Sequence, residues 1–129
     1  MNADSSNDVL LIEWPWEMLP LECADGWTDG LRRRIGPGHP LHGKIVFSSS
    51  RFDDPESYDD VVLFEVEDDG TYAIVYFDEP VRMRGRKMPR TEIVGGFEEM
   101  KKRIQTDREV ALRRIKEREE AMTSPEKTA

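Results

Sequence analysis

The chain has 129 residues, 37% of them hydrophobic, and carries 27 acids against 19 bases for a net charge of −8. That length makes one domain with a core that needs no staples, and the single cysteine, Cys23, excludes an internal disulfide and a cysteine-based metal cluster. The negative sign disfavours non-specific nucleic-acid binding, no apolar run approaches the ~20 residues of a membrane span, and the acidic start MNADSSND lacks the basic and apolar segments of a secretory signal. The expectation is a cytoplasmic protein of bacterial or phage type.

In chain order, residues 1–8 are polar and are expected to form a disordered tail. Val9 to Ile12 form a short apolar run before Pro15, which disfavours helix at Trp14, so residues 9–13 read as a short strand or an extended packing arm. Residues 16–22 suit one helical turn. The first full helix is expected over 27–35, where Trp27, Leu31 and Ile35 recur one turn apart. Arg32, Arg33 and Arg34 complement the negative end of its dipole, and Gly36, Pro37, Gly38 and Pro40 stop it.

Residues 43–48 read as a strand and 49–59 as a polar loop. The runs at 60–67 (DVVLFEVE) and 71–78 (TYAIVYFD), joined by Asp68-Asp69-Gly70, predict an antiparallel hairpin. Its second strand is apolar on both faces, which suits an interior strand. Residues 81–84 read as a short edge strand, 85–90 (GRKMPR) as a basic loop, and 91–94 as one more strand. From Phe97 the apolar period turns helical through Met100 and Ile104. Thr106 and Glu109 have the spacing of a capping box, so either a new helix starts at 107 or one long helix kinks there. Residues 106–122 form a charged helix with a thin stripe of Ala111, Leu112, Ile115 and Met122, suited to projecting or to docking a partner. Residues 123–129 read as a frayed tail. The domain proper spans 9–105.

Charge is segregated along the chain. Residues 1–30 carry seven acids and no base; 31–50 four bases and no acid; 51–80 eleven acids and one base; 81–105 eight bases and three acids. Two surfaces stand out. The acids Asp53, Asp54, Glu56, Asp59 and Asp60 can steer a basic partner, but Pro55 and the missing glycine register exclude an EF-hand calcium loop. The bases Arg82, Arg84, Arg86, Lys87 and Arg90 have no interleaved aromatics, which argues against a nucleic-acid module and for a charged edge that resists aggregation.

Catalytic sets are sparse. His39 and His42 are the only histidines, in the turn GHPLHG; with nearby carboxylates they are the sole basis for a metal-dependent hydrolase. Acids flank Cys23 where a nucleophilic thiol needs a cationic neighbour. No Gly-rich phosphate loop is present. Trp14, Trp16 and Trp27 fit a core better than an exposed anchor.

The run GHPLHGKIV at 38–46, with DDVVLFEV at 59–66 and YAIVYF at 72–77, resembles a group of small uncharacterised bacterial proteins that share a GHPL-x-GK turn and a DDVLFE/YAVV hairpin. The resemblance covers about residues 27–100 and implies a common fold unit but no activity. That group tends to carry His in the second strand where this chain has Tyr76.

The expected fold is α+β: a twisted antiparallel sheet of about four strands, with an N-terminal and a C-terminal helix covering one face. The expected function is a non-enzymatic, acidic protein-binding module that inhibits another protein, of the immunity or anti-defence kind. It would use the acids at 53–60, Arg82, Arg84 and Arg86, or Leu112 and Ile115, with no cofactor, metal or membrane. The alternatives are a metal-dependent hydrolase using His39 and His42, and a structural subunit docking through its C-terminal helix.

Overall fold

A computed structural model describes residues 10–53 and 60–123. The expected tail at 1–8, the expected tail at 123–129 apart from Thr123, which ends a helix, and Asp54, Glu56 and Asp59 lie outside them. The described elements are β1 (Trp16–Met18), α1 (Leu21–Arg34), β2 (Val46–Phe52), β3 (Val61–Val66), β4 (Thr71–Met83), β5 (Arg86–Gly95) and α2 (Phe97–Thr123). The strands form one antiparallel meander in the order β1-β2-β3-β4-β5, so the fold is α+β with five strands rather than about four.

The extra strand comes from residues 16–18, expected to start a helical turn. Trp16 is instead buried and pairs with Phe52 across β1–β2, their rings edge-to-face at 5.1 Å. Pro20, with φ −61° and ψ 151°, caps the start of α1, which begins six residues before the expected helix. The polar residues Ser49 and Ser50, expected in a loop, continue β2 beyond Ser48. Ser50 is fully buried, opposite Met18 on one side and Leu63 on the other, so pairing outweighs weak strand propensity.

The hairpin of β3 and β4 forms as expected, in register from Val61↔Tyr76 to Val66↔Thr71. Gly70 takes φ +74°, and Asp69 accepts the N–H and hydroxyl of Thr71. β4 then runs on without a break through residues 81–84's expected edge strand as far as Met83. The supposed basic loop at 85–90 is the start of β5: Arg84 and Gly85, both at positive φ (50° and 79°), make a two-residue turn of the kind that suits strand twist. Pro89 is tolerated because β5 is an edge strand.

The two helices cover opposite faces, not one. Val62, Phe64, Ala73 and Val75 pack with Leu31 of α1 and Leu41; Val61, Leu63 and Ile74 pack with Met100 and Ile104 of α2 and with Trp16. The extended segment 10–13 adds Leu10 and Ile12 to the α2 side, as a packing arm. On the α1 side, Thr28 Oγ1 accepts the Ser48 N–H at 3.1 Å, which satisfies a polar group at the margin of β2.

α2 is one helix of 27 residues, with no break at Thr106; at ~1.5 Å per residue it is about 40 Å long. Asp107 is engaged elsewhere, as described below. Burial along α2 ends at Ala111, and Leu112 is 46% exposed. No helix among the described residues is long and apolar enough to cross a membrane.

Ile104→Ala is expected to destabilise the chain by about 2–5 kcal/mol, as a buried Ile truncation does, while Leu112→Ala should stay within about 0.5 kcal/mol of wild type. Urea denaturation of both variants checks this.

Candidate functional site

The half-buried polar cluster of the molecule sits where α2 crosses the sheet. Arg103 lies one residue from the buried Ile104 and cannot reach open water fully. Its Nη1 donates to Glu92 Oε2 at 2.6 Å, its Nη2 to the Tyr76 hydroxyl at 3.3 Å, and its Nε to Asp107 Oδ1 at 3.3 Å. Tyr76 donates to Glu92 Oε1 at 3.1 Å, and Trp16 Nε1 donates to Asp107 Oδ2 at 2.8 Å. The Arg90 guanidinium stacks 3.8 Å from the Tyr76 ring centroid and donates to Glu79. One guanidinium thus ties α2 to β4 and β5, and one carboxylate ties it to β1.

The charges follow the contacts. The Arg103 hydrogen bond, opposed by burial, lowers the Glu92 pKa below its ordinary value. Burial disfavours the Arg103 cation, but its bonds to Glu92 and the field of Asp107 outweigh that and raise its pKa. Burial raises the Tyr76 pKa, against the Arg103 hydrogen bond. These bonds make the cluster a fastening between α2 and the sheet.

His39 is equally committed. It is 4% exposed; Nδ1 accepts the Leu41 N–H at 3.1 Å, which assigns the proton to Nε2, beside the Pro89 carbonyl (3.2 Å) and Thr91 Oγ1 (2.9 Å). The imidazole pins the GHPLHG loop onto edge strand β5 and offers no free lone pair to a metal, while His42 is exposed. Among the described residues no group of three or more His, Cys, Asp or Glu is placed to hold a metal ion. This arrangement does not favour the hydrolase alternative.

Of the expected binding residues, Asp53 and Asp60 lie where β2 ends and β3 begins, and both are engaged. A hydrogen bond with Asp53 raises the pKa of Glu17, and Asp60 pairs with Arg51 at 3.0 Å. Leu112 is exposed and Ile115 half-buried on the outer part of α2. These two acids, the arginines Arg82, Arg84 and Arg86, and the helix residues therefore stand on three different elements.

The arginines gain company that the sequence did not promise. The tip of the β4–β5 hairpin runs past the start of β3 and meets the C-terminal end of α1 and the loop after it. Arg86 Nη2 donates to the Arg33 carbonyl at 3.3 Å, and Arg82 Nη1 donates to the Gly85 carbonyl at 3.1 Å. A Cβ at Gly36 would lie 2.6 Å from Arg86 Nη1, and one at Gly38, itself at φ +102°, 2.9 Å from Arg84 Cγ and Cδ. The Arg86 guanidinium and the Arg84 stem thus occupy the space beside these two glycines. Arg33, Arg82, Arg84, Arg86 and Lys87 are exposed, and no carboxylate among the described residues is within ion-pairing distance of them. Scans of this chain against protein-family models, curated proteins and solved structures return no significant match.

Two measurements check these assignments. Arg103→Met leaves Glu92 and Asp107 without their cation and should destabilise the chain by about 1–3 kcal/mol; the remaining stability should also lose the part that wild type loses as the pH falls below Glu92's ordinary 4.5. Burial lowers the His39 pKa below 6.5, so the folded state favours the neutral ring. Its contribution is full above pH 6.5 and declines as the pH falls from there through the lowered folded value. Urea melts at stepped pH should show this decline in wild type and a flatter profile in His39→Gln.

Proposed function

We propose that this chain is a non-enzymatic protein-binding module of the cytoplasm, an inhibitor of another protein of the immunity or anti-defence kind. The observation that carries this reading is the hairpin tip with the adjoining end of α1: four exposed cations on the tip and Arg33 beside it, on a chain of net charge −8. Unneutralised charge concentrated against the sign of the whole molecule is what electrostatic complementarity to a partner requires. The commitment of His39 to loop packing, and of Tyr76, Glu92 and Arg103 to fastening α2, supports binding over catalysis. The exposed lone Cys23 suits a reducing compartment.

A second reading, a structural subunit docking by helix, draws on α2, where residues 112–122 are exposed apart from the half-buried Ile115. The two readings separate by variant. Wild type, an Arg82→Glu/Lys87→Glu variant and a chain ending at Arg113 are used to capture partners from native lysate, with complex mass read by mass photometry. A stoichiometric partner lost only in the charge-reversed variant is the expected result. Loss only in the shortened chain favours the helix, and no stoichiometric partner for wild type overturns both.

A further inference from the structure

We infer that the β4–β5 tip grips a carboxylate-rich segment of its protein partner, with Arg86 as a fixed fork and Arg84 seated by its stem beside it; this rests on the protein-binding reading above. The argument begins with mobility. A surface arginine ordinarily samples many rotamers and loses them on binding, which offsets the contacts it gains. Here Arg86 is tethered through Nη2 to the Arg33 carbonyl and rests on Gly36, and Arg84 rests on Gly38. Arg82 is held by the Gly85 carbonyl. Much of that ordering is present before a partner arrives.

The Arg82 and Arg86 guanidiniums keep donors that the carbonyls do not use, and Arg84, whose stem rests on Gly38, adds its own, in the planar geometry that matches a carboxylate or a phosphate through paired hydrogen bonds. Between these anions the rest of the patch chooses. Single-stranded nucleic acid is usually held by aromatic platforms beside the cations. None of residues 82–87 or 33 is aromatic, and Phe77, the ring nearest Arg34, is packed against Trp27 and Phe64. The interleaved Val81 and Met83 are half-buried and give the tip an apolar component, which suits a peptide of mixed acidic and apolar residues. A chain of net charge −8 also repels a long polyanion at distances where a short acidic segment meets only the tip.

Gly36 is the positioning residue in this scheme. It has ordinary backbone angles, so alanine fits the chain there, yet its methyl group would displace the Arg86 guanidinium without removing any charge.

Fluorescence anisotropy tests the inference with two labelled probes of equal charge, an oligoglutamate peptide and a single-stranded oligo-dT, at low and at physiological salt. The proteins are wild type, Arg84→Asn/Arg86→Gln and Gly36→Ala; asparagine tolerates the left-handed backbone at 84. Wild type should bind the peptide more tightly than the oligonucleotide. The double variant should lose about tenfold or more in peptide affinity, the scale of a lost charge-assisted bidentate contact. Gly36→Ala should weaken the peptide with an unchanged salt slope. Circular dichroism melts confirm that each variant is folded, and Arg82→Glu/Lys87→Glu, altered only at exposed positions, substitutes for any that is not. Equal peptide binding by wild type and the double variant overturns the inference, as does tighter binding of oligo-dT. Wild-type behaviour of Gly36→Ala overturns the fixed-fork geometry. If these fail while the lysate partner is still captured, the protein-binding reading stands and its surface lies elsewhere.

Discussion

Residues Val61, Val62, Leu63 and Phe64 of β3 are buried one after another, because each face of the strand meets a different core. Everything else depends on that doubly covered strand. A strand apolar on both sides has weak register information in its own pattern, since a slip by one residue exchanges one apolar set for another. Register is fixed at the ends instead. The Asp69–Thr71 bonds and the positive φ of Gly70 define one end of the hairpin, and Glu65, which is exposed, has one acceptable side.

The two helices are attached in different ways. α1 is held by apolar packing and by Thr28 reaching the backbone of β2. α2 enters through Met100 and Ile104 and is then oriented by Arg103 and Asp107, whose bonds reach three strands. Apolar contact alone lets a helix rotate or slide, whereas directional bonds at two adjacent turns fix its azimuth. The outer part of α2 inherits its direction from that point.

The hairpin of β3 and β4, the interior placement of β4 and the helical period after Phe97 could all be read from local patterns. What could not be read was decided by partners distant in sequence. Ser49 and Ser50 look like loop until Met18 and Leu63 pair with Ser50, and residues 16–18 look helical until Phe52 supplies a partner. Residues 85–90 look like loop because Gly85 and Pro89 flank bases, yet one is a turn residue and the other an edge residue. The site divides in the same way. Arg82, Arg84 and Arg86 were visible as a run, but their neighbours Arg33, Gly36 and Gly38 are about fifty residues away, and nothing local announces them. The fastening around Arg103 had one faint signal: an Arg–Asp pair four apart, flanking the apolar stripe of Met100 and Ile104.

The resting place of Arg86 on Gly36 has an evolutionary corollary. The space over that backbone holds one guanidinium and no methyl group besides. A long cation at 86 keeps this resting place only while glycine stands at 36, whereas a shortened residue 86 removes that demand. Position 38, whose backbone already demands glycine, has no such freedom whatever happens at 84. Related chains should thus show paired substitution at 36 and 86 and an unpaired, invariant glycine at 38, a record of the tip written in residues that carry no charge.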